Sequence, residues 1–353
     1  MLVLKKLLAE QINSGASDMH LIVGLPPLLR IHTCLRPLDG ADALSQEQAL
    51  AFVREMIGDE RMARFNHDRD IDFSTALDGQ GRFRVNAHWQ RDTIAMAFRA
   101  ISDNVPALES LNLPPAISGL VDLPRGLVLV TGVTGSGKST TLASMINAVN
   151  LTRASHIITL EDPVEYVLRS SKSVIEQREL GSDVPTFASG LRHALRQDPD
   201  IILVGEMRDL ETTSAAISAA ETGHLVLSTL HTQNASQTIE RIIDIYPAEQ
   251  QNQVRAMLSN TLQAVISQVL FARKDKPGMV PACEIMLCTP AVRNCIRENR
   301  IHEIPNIIET SKALGMTTLD DSIKSLVING MVGKQDAIAH AARPEALAKT
   351  LGS

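Results

Sequence analysis

The sequence predicts an α/β protein in two parts: a small α+β unit over residues 1–101, and a larger unit over 119–353 built on a parallel, doubly wound sheet with a helical end. Three observations carry this. From residue 127 onward, short apolar runs alternate with helical stretches, the pattern of strands feeding crossover helices. A glycine-rich loop lies between the first of those runs and the first of those helices. Before residue 101 the pattern is instead period 2 with tight turns, and residues 102–118, with Pro106, Pro114 and Pro115, read as a linker. A chain of 353 residues is long enough for two domains of about 150 residues each.

The elements follow in order. Residues 2–13 form an amphipathic helix stopped by Ser14-Gly15. Residues 19–23 and 28–32 are short strands joined by the turn Gly24-Leu25-Pro26-Pro27. Ser45 with Gln48 three residues on has capping-box spacing and opens a helix carrying Leu50, Val53, Met56 and Ile57 on one face. Residues 71–77 and 82–89 are hairpin strands about the turn Asp78-Gly79-Gln80-Gly81, and 91–101 is a further strand. Period 2 sets Ile94, Met96 and Phe98 against Arg91, Thr93, Ala95, Ala97 and Arg99, and Phe83 and Val85 against Arg82 and Arg84. The arginine side is either a solvated face or an anion-facing one that reaches a neighbouring subunit. In the second part, residues 127–130, 157–160, 201–204 and 225–227 are the strands, and the chain beyond about residue 254 is mostly helical.

Composition removes several classes. Lys and Arg number 34 against 40 Asp and Glu, and aromatics are 3%, which opposes a nucleic-acid binder that needs a basic face or stacking platforms. The cysteines Cys34, Cys283, Cys288 and Cys295 contain no C-x-x-C, so no zinc site or redox pair is signalled and free thiols in a reducing compartment are expected. Lys5 and Lys6 interrupt the apolar start, which reads as a helix and not a secretory leader. No run of about 18 apolar residues exists to span a membrane, and a cytoplasmic protein is expected.

The chemistry concentrates at strand ends. Gly132-Val133-Thr134-Gly135-Ser136-Gly137-Lys138-Ser139 fits G-x-x-x-x-G-K-[ST] in full, after the strand at 127–130 and before a helix beginning near Thr140. The glycines let backbone N–H groups converge on a phosphate, and the helix N-terminus adds positive potential. Lys138 is then placed for the β- and γ-phosphates, and Ser139 for Mg²⁺. Glu206, just past the apolar run 201–204, is placed to orient or deprotonate an attacking water. The plainer alternative is a strand-end acid paired with Arg208. Glu161, Asp162 and Glu165 follow the run at 157–160, and such a cluster calls for a cation, Mg²⁺ being the natural one. His224 and His231 flank the strand at 225–227 and are read as groups that sense phosphate by hydrogen bonding.

These blocks occur together in the secretion-ATPase superfamily. GVTGSGKSTTLASMI, ITLEDPVE, ALRQDPDIILVGEMRDLET and AAETGHLVLSTLHT resemble its Walker A, Asp box, Walker B and His box. With SDMHLIVGLPPLLRI, RFRVN, RAMLSNTLQAVISQ, TPAVRNCIREN and LGMTTLD added, the chain closely resembles the PilT-type twitching-motility ATPases, which retract type IV pili. Cys295 stands where that family usually has leucine. The resemblance implies a PAS-like N-terminal domain over 1–101, a RecA-like ATPase domain over 119–353, and a homohexamer. It implies ATP and Mg²⁺ bound by Gly132, Thr134, Gly135, Ser136, Gly137, Lys138, Ser139 and Thr140. In it Glu206 is catalytic, Glu161 assists catalysis or holds the metal, and His231 and His224 belong to the site. Arg84, Arg99 and Arg241 approach the phosphates from outside the loop. It further implies work at the cytoplasmic face of the inner membrane, with a pilus platform protein and a PilU-type accessory ATPase as partners and no nucleic acid. The rival readings are a PilU-type accessory motor and an extension or type II secretion ATPase. Those last usually carry an extra N-terminal domain and a four-cysteine zinc module.

Overall fold

In a computed structural model, residues 3–31, 34–77, 81–101 and 104–352 are described. The chain divides into two compact units, residues 1–104 with 163–167, and residues 105–162 with 168–353. Leu2, His32, most of the turn at 78–80 and the first two residues of the expected linker lie outside the described residues.

The first unit is an antiparallel sheet with helices on its apolar face. Its elements are α1 (Leu4–Asn13), β1 (Asp18–Ile22), β2 (Leu28–Ile31), β3 (Cys34–Pro37), α2 (Gln46–Asp68), β4 (Asp70–Leu77), β5 (Gly81–Gln90) and β6 (Thr93–Ile101). The strand order is β3-β2-β1-β6-β5-β4. Met19, Leu21, Phe83, Val85, Met96 and Phe98 alternate inward and pack with Leu4, Leu7, Leu8, Phe52, Val53 and Phe65. The capping box at Ser45 is formed in both directions. Gly58, at φ 71°, breaks α2 in its middle, a conformation open to glycine.

Two details depart from the sequence reading. Arg91 and Asp92 have φ of 47° and 57° and form the two-residue turn between β5 and β6, so Arg91 is not on the arginine face. The strand β3 was not expected, because it is short, exposed throughout and ends in proline at the sheet edge.

The second unit begins at Val105. The stretch expected as a linker is not a free spacer, since Leu108 and Ile117 are buried in this unit's core. The sheet contains β7 (Gly126–Thr131), β8 (His156–Glu161), β9 (Val174–Glu179), β10 (Ile201–Val204), β11 (Leu225–Leu230), β12 (Leu262–Ala272) and β13 (Met279–Leu287). The order is β13-β12-β7-β11-β10-β8-β9, all parallel but for β13. Strands β7, β10 and β11 are buried at every position, as strands covered on both faces must be. The helices that flank the sheet include α3 (Lys138–Thr152), α4 (Phe187–Ala194), α5 (Leu210–Glu221), α6 (Ala235–Asp244) and α7 (Gln251–Thr261). Five more follow: α8 (Pro290–Arg297), α9 (Ile304–Thr310), α10 (Leu319–Ile328), α11 (Lys334–Ala339) and α12 (Pro344–Thr350).

The chain beyond residue 254 is mostly helical, as expected, but the long hairpin β12–β13 that interrupts it was not anticipated. Its residues are largely apolar on both faces, with Gln263, Ser267, Gln268 and Glu284 scattered among them, so they carry no clean period 2, and α7 runs into β12 without a turn signal.

Candidate active site

In a doubly wound sheet the loops at the carboxyl ends of the parallel strands form the ligand-binding edge. The loop after β7 has Gly132, Gly135 and Gly137 at φ of 142°, 81° and 88°, conformations that side chains resist. A Cβ on Gly132 would collide with the backbone oxygen of Gln268, so no larger residue fits there. Lys138 opens α3 and is 8% exposed; its Nζ donates to the carbonyls of Gly132 (2.8 Å) and Val133 (3.1 Å). A buried cation is thereby held by two loop carbonyls at a helix N-terminus, the setting of a phosphate seat. Ser136 Oγ is buried with no partner among the described residues, a polar atom that such a ligand would satisfy.

Two strands away, β10 ends at Val204 and delivers Glu206 to the same edge. Its neighbours on both sides are fastened to β11. Thr229 Oγ1 donates to Gly205 O at 2.6 Å, and Met207 N–H donates to Thr229 O at 3.2 Å. Gly205 N–H also donates to Leu160 O at 2.7 Å, bringing the ends of β8 and β10 together. The Glu206 side chain is 16% exposed, with Oε1 3.3 Å from His231 Nε2 and Oε2 paired with Arg208 Nε at 2.7 Å. The pairing with Arg208, the plainer sequence alternative, is therefore present. Arg208 is 67% exposed, so the pair is screened and weak and leaves the carboxylate available.

Glu161 ends β8, and its Oε1 accepts from Thr159 Oγ1 (2.6 Å) and Gln177 Nε2 (3.0 Å). The expected three-acid cluster does not form in full. Asp162 and Glu165 are exposed, and residues 163–167 group with the first unit. Among the described residues no three His, Cys, Asp or Glu side chains gather to hold a metal. Magnesium in a phosphate loop uses one or two protein oxygens plus phosphates and waters, and Ser139 at the start of α3 suits that mode.

The two histidines are parted by the strand itself. His231 follows the carboxyl end of β11, beside Glu206. His224 precedes its amino end, where Nδ1 lies 2.9 Å from Ala219 O and His224 O accepts from Gly126 N–H. Six strand residues separate them, about 20 Å. Flanking one strand thus put His224 at the edge remote from this chain's phosphate loop, which corrects its reading as a phosphate sensor there.

The expected arginines come from elements other than the phosphate loop. In the first unit one cross-strand row reads Arg30, Asp18, Arg99, Arg84, Ser74. Arg99 Nε pairs with Asp18 Oδ1 at 2.9 Å. Burial pushes the Asp18 carboxyl up, but the Ser17 hydroxyl and the Arg99 guanidinium outweigh it and hold it below the usual aspartate range. Arg84 is exposed beside Arg99. In the second unit Arg241 is exposed in the last turn of α6. Sequence reading assigned no role to Thr229, Thr159 and Gln268, although they lie within the quoted blocks, and missed Gln177, which lies outside them.

Comparison with known proteins fits this geometry. The sequence pattern of the family described as Type II/IV secretion system protein matches residues 105–302. The type IV pilus retractation ATPase PilT of Pseudomonas aeruginosa is 47% identical over 340 residues, covering 96% of this chain and 98% of that one. The type IV pilus ATPase PilU of the same organism is 38% identical, covering 96% and 88%. A crystal structure of the pilus retraction motor PilT with bound ADP superposes with a TM-score of 0.91 at 41% identity, covering 98% of this chain and 99% of that one. With a complete phosphate loop, an acid at the end of β10 and likeness along nearly its whole length, the chain belongs to the type II/IV secretion system family, among its PilT-type pilus-retraction ATPases.

Proposed function

We propose that the chain hydrolyses Mg-ATP on the loop 132–139 and works as a ring of six that retracts a pilus. The observation that carries the catalytic assignment is Glu206. Its carboxylate is shielded but not enclosed, its backbone is clamped on both sides by Thr229, and it stands at the edge where the phosphate loop opens. A carboxylate so held orients a water and accepts its proton as phosphoryl transfer proceeds. Lys138 and the amides of Gly135, Ser136, Gly137, Ser139 and Thr140 hold phosphate oxygens. Ser139 Oγ would hold the magnesium, which supplies charge neutralisation when bound, with Glu161 and Glu206 as the carboxylates that could assist it through its waters. His231, next to Glu206, relays whether the terminal phosphate is present.

Arg99, Arg84 and Arg241 are proposed as cations supplied to the phosphates across a subunit boundary of the ring. An arginine so delivered stabilises transition-state charge, and Arg99→Ala or Arg241→Ala should each lower turnover at least about tenfold. Mixing Arg99→Ala with Lys138→Ala subunits should restore some activity; no recovery in demonstrably mixed rings would speak for action within one subunit. A PilU-type accessory ATPase and a platform protein at the cytoplasmic face of the inner membrane are its proposed partners. The catalytic assignment is tested by Glu206→Gln. It should bind ATP as well as the native chain while turnover falls at least a hundredfold, about 2.7 kcal/mol on the barrier. Native turnover would remove Glu206 from the chemistry.

A further inference from the structure

Gln268 lies on β12 one residue past Ser267, the last register partner of β7, and is 2% exposed. It touches the phosphate loop at both ends. Its backbone oxygen crowds Gly132, its Nε2 donates to Ser136 O at 3.2 Å, and the same nitrogen is 3.4 Å from where a Cβ on Gly137 would stand. Its Oε1 is buried without a partner among the described residues. A carboxamide satisfied on one side only is a costly way to fill space, and an apolar side chain of equal size would fill it at less cost. Packing alone does not account for it.

We propose that Gln268 is a positioning residue for the nucleotide, fixing which way the peptide between Ser136 and Gly137 faces. In a trans peptide the C=O and N–H point to opposite sides. Drawing Ser136 O towards β12 turns the Gly137 N–H away from β12, to the side on which the loop amides converge. Gly137, on one side of that peptide, lacks the Cβ that would resist its reversal, so the loop does not fix this choice by itself. Without the Nε2 donor the carbonyl can turn inward, where it opposes phosphate oxygens with like partial charge. This inference rests on the loop being the ATP site.

The test uses the full chain with a fluorescent ATP analogue and steady-state turnover. Gln268→Met keeps the volume and removes the donor; it should weaken binding about five- to tenfold and raise KM alike, with kcat changing far less. Gln268→Glu keeps the shape but sets a carboxylate against the Ser136 carbonyl, and should weaken binding more than tenfold. Gln268→Asn pulls the donor back by one carbon, and gives the same KM shift should Gln268→Met melt early. Native affinity in the Met and Asn variants, or a loss confined to kcat, overturns the inference. Lys138→Ala measured alongside separates the failures. If it loses binding while Gln268→Met keeps it, only the inference falls; if it too binds like the native chain, the ATP-site reading falls.

Discussion

Thr229→Val isolates one hydroxyl inside the His box to which the sequence reading assigns no role. The substitution keeps the β-branched shape at a 7% exposed position, so no cavity opens. What is lost is the 2.6 Å hydrogen bond to Gly205 O, and that carbonyl is left facing a methyl group. An abandoned acceptor at a buried site costs about 1–3 kcal/mol. The bond from Met207 N–H to Thr229 O survives because it is backbone to backbone, which puts the expected loss at the lower end, about 1–2 kcal/mol. In a unit of this size that lowers the melting temperature by about 2–8 °C. Glu206 lies between the released peptide and the retained one, so its carboxylate should wander from the productive geometry. Turnover should fall about three- to tenfold, equivalent to about 0.7–1.4 kcal/mol, with KM within twofold because the phosphate loop is untouched. Thermal melts and steady-state ATPase assays on the native chain, Thr229→Val and Thr229→Ser read both quantities, and serine, which restores the donor, should recover most of the turnover. A valine variant with native melting and native kcat would refute the idea that this clamp positions Glu206.

Asp18 is held below its ordinary pKa in the folded chain, so the unfolded chain binds the extra proton first as pH falls. Its contribution is present above about pH 4 and is lost as the pH drops through the folded value; acid titrations of stability should show this, and Asp18→Asn should flatten that part of the curve. Burial pushes the Cys283 and Cys288 thiols up to about 12, and Cys295 is raised by burial and by Glu303, whereas Cys34 is exposed. A thiol reagent at pH 7.5 should therefore label one cysteine quickly in the native chain and four in denaturant; a second fast thiol without denaturant would contradict the burial described.

The parallel core was legible because full burial writes itself as unbroken apolar runs: β10 begins and ends where its run 201–204 does. The phosphate loop was legible because glycine is the only residue its backbone tolerates. Legibility failed where two causes produce one pattern. The segment of β12 is largely apolar on both sides, and that reads equally as a buried helix. The turn at Arg91-Asp92 has the backbone that usually selects Asn-Gly, so two charged residues concealed it. His224 was misplaced because adjacency to a strand says nothing about which end of it faces the ligand. Thr229 and Gln268 escaped for another reason: their roles lie in hydrogen bonds to backbone oxygens, and no residue spacing announces such bonds.

The insertion of β12 beside β7 has a mechanical consequence. Without it the strand that carries the phosphate loop would be the border of the parallel sheet, held by β11 alone. With it, β7 is laced on both sides to strands running in its own direction, across six paired positions to β11 and five to β12. A load applied along β7 then strains both ladders in shear, all rungs at once, whereas a border strand can be peeled away rung by rung. A motor that converts loss of a phosphate into a stroke needs its nucleotide loop anchored on something that does not yield, and this strand is seated to bear the recoil.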